Sequence, residues 1–236
     1  LKMHKLLFHL LGAIQFAYGC YYDCTYVIIP STSSVVPSFG GKLKYLTFIN
    51  AMIQTAYFTL AALNDLIGSN EPSPRDKPLI RRVKDLVFSS LAFPVSIFVG
   101  VTFWALYAVD RELILPRSLD DYFPTWLNHV MHTNIVLFIL IELATSFRMY
   151  PLRKFGLSIL CTFMLCYVVW VHVIWFRTGM WVYPVLKVFN WPLRIAFYGF
   201  SLSFVCTFYS LGERLNAAIW SKEVEETVKS GKKKAK

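Results

Sequence analysis

Apolar residues gather in six long stretches of this chain, and clusters of polar residues separate the stretches. A transmembrane helix needs about 20 mainly apolar residues, because each residue advances it by about 1.5 Å across roughly 30 Å of hydrocarbon. The pattern therefore predicts an all-α integral membrane bundle of six transmembrane helices. This bundle would occupy residues 1–220, ahead of a basic tail at 221–236, with spans at about 5–29, 43–67, 85–109, 127–147, 155–177 and 193–213.

The first stretch also has features of a cleavable leader. Lys2 and Lys5 precede the apolar run 6–17, which fits a secretory signal peptide, and the sequence at 17–20 resembles a lipoprotein cleavage site. Five further apolar stretches follow, so a retained first helix is favoured. Cleavage would leave the orientation of the remaining helices unchanged.

The charges predict the orientation of the bundle. Of the 24 Lys and Arg residues, 17 lie at the N-terminus, in the second and fourth loops and in the tail, and 7 lie in the other three loops. Cytoplasmic loops carry the excess of Lys and Arg, so both termini are predicted to be cytosolic. This distribution also accounts for the net charge of +10. We therefore expect a membrane and a lipid from the bilayer as partners, and no nucleic acid.

Two polar residues lie at matching depth within the second and fourth spans. Given the predicted orientation, Thr47 and His132 are each roughly 6–8 Å below the outer boundary at 1.5 Å per residue. Polar and ionisable groups inside a membrane are costly and are candidates for function. A hydroxyl within reach of an imidazole is the minimal nucleophile and base of covalent hydrolysis.

Each of the two residues belongs to a polar helix face. Thr47 shares its face with Asn50 and Gln54, since residues three and four apart align on a helix. On the fourth span, His132 shares its face with Asn128 and His129. These faces are predicted to meet inside the bundle, where Asn50 or Asn128 could orient the imidazole or bind an oxyanion.

Other interpretations of the same residues remain open. Thr, Asn and His also hydrogen-bond between membrane helices as packing residues, which would make the chain a lipid-binding or regulatory protein without catalysis. His129 and His132 could instead hold a metal for lipid hydrolysis, with His172 or Glu142 as a third ligand. Their spacing is not HExxH, and a di-haem site would need more paired histidines. We therefore expect no metal and no cofactor.

The C-terminus resembles a localisation signal. Lys233 and Lys234 occupy the fourth and third positions from the end, as in the di-lysine signal that coat proteins recognise. Lysine-rich tails also attract anionic lipids. The endoplasmic reticulum is thus the favoured location, with the plasma membrane as the alternative.

Six motifs in order resemble the androgen-induced and androgen-dependent TFPI-regulating protein family. They are Lys44-Tyr-Leu-Thr-Phe-Ile-Asn50, Leu91-Ala-Phe-Pro-Val95, Asp110-Arg-Glu-Leu-Ile114, Trp126-Leu-Asn-His-Val-Met-His-Thr133, Thr178-Gly-Met-Trp-Val-Tyr-Pro184 and Leu211-Gly-Glu-Arg-Leu-Asn216. Together they span nearly all of residues 42–216. The first span and the residues beyond about 220 show no such motif.

The resemblance implies an activity. Members of this family hydrolyse fatty acid esters of hydroxy fatty acids, with a threonine nucleophile and a histidine. Their threonine falls on Thr47, and their histidine falls on His132 rather than on His129. The substrate has a free carboxylate, for which Lys44, Arg111 or Arg177 could provide a partner near the outer interface.

Overall fold

The computed structural model describes residues 2–29, 39–71 and 78–234, with the side chains of residue 2 and of 230–234 excepted. Every regular element in this part of the chain is helical, which confirms the all-α class. The α-helices are α1 (Lys2–Thr25), α2 (Leu46–Ile67), α3 (Leu79–Leu113), α4 (Thr125–Thr145), α5 (Arg153–Thr178), α6 (Pro184–Val188), α7 (Trp191–Ile219) and α8 (Ser221–Lys234), and short 3₁₀ turns lie at Gly41–Lys44 and Arg117–Leu119.

Five of these helices, α2, α3, α4, α5 and α7, are long and apolar enough to cross a membrane. Helix α1 is 24 residues long but carries more polar residues and is not one of the five. A multi-pass membrane protein is confirmed, whereas the count of six spans and the cytosolic position of both termini stay predictions. The side chains of Lys233 and Lys234 lie outside the described residues, as do parts of the first two loops.

Local sequence explains the ends of two helices. At the start of α7, the Asn190 side chain accepts a hydrogen bond from the Leu193 N–H at 3.0 Å, and Pro192 fits the first turn, where its missing N–H costs nothing. Helix α5 ends at Thr178, and the next residue, Gly179, has a left-handed φ of 71°, a conformation that glycine adopts without steric cost.

Helices α3 and α4 each contain one π-helical turn, at Phe88–Ala92 and at Val130–Asn134. Such turns shift the side chains that follow and occur frequently at functional sites. The second turn holds His132. Gly100 of α3 packs against it so closely that an added Cβ would lie 2.9 Å from the His132 carbonyl oxygen. The small residue therefore lets α3 approach the backbone that carries His132.

A buried ionic cluster ties α1 to the bundle at the opposite end from Thr47. His9 lies 2.6 Å from an Asp65 carboxylate oxygen of α2 and 2.8 Å from Glu142 of α4. Tyr57 donates to Glu142 at 2.5 Å and Arg148 donates to it at 3.0 Å. Glu142 and Arg148 are completely buried. Because α1 contributes His9, its place in the bundle depends on polar contacts as well as on apolar packing.

Replacing Glu142 is expected to destabilise the fold. In Glu142→Gln the charges of His9 and Arg148 lose a shared counter-charge in a buried site, which costs about 3–5 kcal/mol. Thermal unfolding in detergent, followed by tryptophan fluorescence, measures the change. The control is Glu225→Gln, which removes an exposed pair with Lys229 and is expected to cost at most about 1 kcal/mol. Equal effects of the two substitutions would show that the buried cluster does not stabilise the bundle.

Candidate active site

The structure brings Thr47 and His132 into hydrogen-bonding distance. The Thr47 Oγ1 lies 3.2 Å from the His132 Nε2. Thr47 is the second residue of α2 and is partly exposed, whereas His132 is buried. Negative charge that develops on Thr47 therefore lies near the positive end of the helix dipole of α2, which favours it.

The hydrogen bonds of His132 fix which nitrogen carries the proton. Its Nδ1 lies 3.0 Å from the Asn128 carbonyl oxygen and 2.8 Å from the Asn128 Oδ1. A carbonyl oxygen only accepts hydrogen bonds, so Nδ1 donates. In the neutral ring Nε2 is then the acceptor, and the Thr47 hydroxyl donates to it. This is the tautomer that a general base for Thr47 needs.

Thr47 differs in its hydrogen bonding from six other helical threonines. Those six donate to the carbonyl oxygen four residues earlier, as threonine commonly does in helices; they are Thr55, Thr59, Thr145, Thr178, Thr207 and Thr227. The corresponding carbonyl for Thr47 belongs to Leu43, which instead accepts the Trp170 indole N–H at 3.0 Å. The Thr47 hydroxyl is thus directed to another helix.

Phe103 of α3 holds the imidazole ring from one side. The two rings are nearly parallel, at 12°, with centroids 3.5 Å apart. Together with the Asn128 contacts, this stacking restricts the rotation of His132. A base that is already held in one orientation loses little conformational entropy when it accepts a proton.

Two cavities meet at Thr47. The first encloses about 810 Å³, including its open mouth, and has His132, Met131, Leu119, Lys42 and Asp23 among its lining residues. The second has a volume of about 740 Å³, again including its open mouth, and is almost entirely apolar, with Val99, Met164, Val171 and Phe197 on its walls. Four residues line both: Thr47, Phe103, Ile114 and Tyr183. A molecule that occupied both cavities would therefore contact Thr47.

Of the three predicted supporting residues, Asn128 contacts the pair and the other two do not. Asn50 accepts hydrogen bonds from Ser96 at 3.2 Å and from Gln54 at 3.3 Å, in a buried polar cluster between α2 and α3. His129 is exposed, and its Nδ1 lies 3.1 Å from the Thr133 hydroxyl. Orienting the imidazole therefore falls to Asn128.

The residues of the metal alternative make separate contacts. His172 lies among aromatic rings, with its Nδ1 2.8 Å from the Val168 carbonyl oxygen, and Glu142 belongs to the ionic cluster with His9. Within residues 2–29, 39–71 and 78–234, no three His, Cys, Asp or Glu side chains are grouped as a metal site requires.

The three candidates for the substrate carboxylate lie outside the cavity linings. Lys44 is buried, and this burial, with a smaller effect of the nearby Lys42 charge, lowers its pKa to about 8. Arg111 donates to Asp120 and to the Leu115 carbonyl oxygen. Arg177 is exposed, with its guanidinium 5.4 Å from the centre of the Phe39 ring.

Lys42 and Tyr183 are among the polar cavity residues that sequence reasoning missed. Lys42 lines the first cavity, where its ammonium donates to Asp23 at 2.8 Å and to the Val27 carbonyl oxygen at 2.9 Å. Tyr183 lines both cavities, although its aromatic motif suggests an interfacial belt. The sequence contains one hint, since the same motif could also cap a site open to lipid.

Known proteins resemble this chain over most of its length. The profile of the FAR-17a/AIG1-like protein family matches residues 4–217. The chain is 41% identical to the androgen-induced gene 1 protein of Homo sapiens over 231 residues, 95% of this chain and 94% of that protein. It is 40% identical to the androgen-dependent TFPI-regulating protein of Mesocricetus auratus over 195 residues, 82% of this chain and 83% of that protein. No solved structure matches it.

The family match begins ahead of the recognisable motifs. It starts at residue 4 and so includes α1, for which the motifs give no resemblance. The absence of a recognisable motif in α1 therefore does not separate this helix from the family domain. The contacts of His9 agree with this, because they make α1 part of the same folded unit as α2 and α4.

Proposed function

The chain belongs to the FAR-17a/AIG1-like protein family, and from that membership we propose that it hydrolyses lipid esters within the membrane, with fatty acid esters of hydroxy fatty acids as substrates. One observation carries the proposal: the Thr47 hydroxyl lies 3.2 Å from the His132 Nε2, and Thr47 lines two largely apolar cavities. A nucleophile hydrogen-bonded to a base that a third group orients is the signature of covalent catalysis.

In the first half of the reaction Thr47 becomes acylated. Its Oγ1 attacks the ester carbonyl carbon while its proton passes to the His132 Nε2. The carbonyl electrons move onto the oxygen and form a tetrahedral oxyanion. When the carbonyl re-forms, the bond to the hydroxy fatty acid breaks, and the departing alkoxide takes the proton from His132. The first product is the hydroxy fatty acid.

Water completes the reaction. His132, neutral again, accepts a proton from a water molecule that attacks the acyl-threonine. Collapse of the second tetrahedral intermediate returns this proton to Thr47 and releases the fatty acid. Asn128 acts through His132: its carbonyl oxygen keeps the Nδ1 protonated, and it stabilises the imidazolium that forms transiently.

The two cavities suit the two parts of such a substrate. The second cavity is apolar and fits the acyl chain, whose burial contributes about 0.8 kcal/mol per methylene. The first cavity has Lys42 among its lining residues. An ammonium group can pair with an anionic group in the cavity, so we place the substrate carboxylate at Lys42 rather than at Lys44, Arg111 or Arg177.

The cellular location is part of the proposal. The Lys233 and Lys234 pattern supports residence in the endoplasmic reticulum through coat-protein recognition. Replacing both lysines with serine should redistribute a fluorescently tagged protein toward the plasma membrane. An unchanged distribution would remove the support that this pattern gives.

An acyl-trapping probe tests the reaction class. A fluorophosphonate with an alkyl chain should label the purified protein at Thr47, because the hydroxyl displaces fluoride from phosphorus as it would attack an ester. Peptide mass spectrometry locates the adduct, and labelling should be lost in His132→Ala. Labelling at another residue, or an active protein that is never labelled, contradicts the proposal. Activity that a chelator abolishes would favour the metal alternative.

A further inference from the structure

Tyr183 is the polar side chain shared by both cavities besides Thr47. It lies in the loop between α5 and α6, immediately before α6 begins. The Leu46 backbone N–H is shared between two hydroxyl oxygens, that of Tyr183 at 3.0 Å and that of Tyr167 at 2.9 Å. Leu46 directly precedes Thr47 in the chain, so the Tyr183 hydroxyl is bound at the start of α2, one residue before the nucleophile.

The neighbouring Tyr167 determines where the proton of Tyr183 can go. The two hydroxyl oxygens are 3.0 Å apart. The Tyr167 hydroxyl has one proton, which it donates to the Lys44 carbonyl oxygen at 2.8 Å, since a carbonyl cannot donate in return. The proton of Tyr183 then has two destinations in the described part of the chain: the Tyr167 oxygen or the cavity at Thr47.

Burial raises the pKa of Tyr183 above its ordinary value, so the hydroxyl keeps its proton at neutral pH and remains a donor. Its oxygen is hydrogen-bonded by the Leu46 N–H, and its ring packs against that of Tyr45, with the centroids 6.2 Å apart. Only rotation about the C–O bond is needed to direct the proton from Tyr167 into the cavity. A donor positioned in this way needs little reorganisation when charge develops.

We infer that Tyr183 donates a hydrogen bond to the oxyanion that forms when Thr47 attacks the ester. The inference rests on the proposed function and adds the group that stabilises the transition state. No proton is transferred in this contact: Tyr183 keeps its O–H bond, and the proton that moves is the one that passes from Thr47 to His132 and on to the alkoxide. The same contact serves both tetrahedral intermediates.

The test compares Tyr183→Phe with the wild-type protein. Loss of one oxyanion donor lowers kcat by roughly 10²–10³-fold, and KM should change little because the donor contacts the ground-state carbonyl weakly. Fluorophosphonate labelling of Thr47 should slow as well, because the phosphoryl oxygen occupies the oxyanion position. The control is Tyr150→Phe, which removes a buried hydroxyl outside both cavities and should keep the wild-type kcat.

A second measurement tests the inference if the Tyr183→Phe protein does not fold. Incorporation of 3,5-difluorotyrosine at position 183 keeps the shape of the side chain, and its phenol ionises at lower pH than that of tyrosine. Because an ionised phenol cannot donate, the alkaline limb of the pH–kcat profile should move to lower pH. An unmoved limb, or a Tyr183→Phe protein with the wild-type kcat, overturns the inference.

Failure of the inference is distinguishable from failure of the proposed function. If the wild-type protein hydrolyses no lipid ester and its Thr47 is not labelled, the proposed function fails. If the wild-type protein is active and Tyr183→Phe equals it, only the role of Tyr183 fails. If Tyr183→Phe and Tyr150→Phe lose kcat equally, the effect is structural, and the role of Tyr183 is also rejected.

Discussion

Thr47→Val is expected to lower kcat/KM for a lipid ester by roughly 10³-fold or more, with normal expression and folding. Valine has nearly the shape of threonine and removes only the hydroxyl, so the variant isolates the nucleophile from the packing of α2. Thr47→Ser restores a hydroxyl and should keep measurable activity. Product release from a defined ester, measured by mass spectrometry on purified protein, gives the rates.

The matched control for this change is Thr55→Val in the same helix. The Thr55 hydroxyl donates to the Ala51 carbonyl oxygen at 2.9 Å, so its loss should leave hydrolysis unchanged. If Thr47 acts only in packing, Thr47→Val would reduce the folded yield while the folded protein stayed active. That result would favour the non-catalytic alternative.

His132→Ala is expected to lower the rate by roughly 10²–10⁴-fold, the usual contribution of a general base. The substitution leaves a space beside Thr47 that opens to the first cavity. Added imidazole should therefore restore part of the activity, in proportion to the concentration of its neutral form. Initial rates across an imidazole series at fixed pH measure this rescue.

His129→Ala provides the control on the same helix. His129 is exposed and contacts Thr133 rather than Thr47, so its removal should leave the rate near that of the wild-type protein and insensitive to imidazole. Equal losses in the two variants, or a His132→Ala protein that remains fully active, would reject His132 as the base. A purely structural role of His132 would show no rescue.

The helices were largely predictable because the membrane imposes strong constraints. The predicted spans at 43–67, 127–147 and 155–177 differ from α2, α4 and α5 by at most three residues at each end. Helix α1 was less predictable, since its polar residues weaken the apolar pattern. His9 is one of these polar residues. Its partners Asp65 and Glu142 lie on helices far away in the sequence, so the sequence pattern of α1 does not show why a histidine is buried there.

The site was predictable in part. Depth along α2 and α4 places Thr47 and His132 at one level, and helical periodicity places each on a polar face. Periodicity makes Asn50 and Asn128 equally good candidates for orienting the imidazole. In the structure Asn50 is hydrogen-bonded to Ser96 and Gln54, whereas Asn128 is hydrogen-bonded to His132. Helical periodicity alone does not reveal the π-helical turn that carries His132.

The sequence by itself determined the helical class, the membrane setting, the family and the pairing of one threonine with one histidine at a common depth. Only the tertiary structure decided that their atoms lie 3.2 Å apart, that Asn128 orients the imidazole and that Tyr183 joins Thr47 where two cavities meet. The reason is physical. Hydrophobicity and helical period fix position along each helix, whereas the contacts between helices and loops depend on how side chains distant in sequence fill a shared interior.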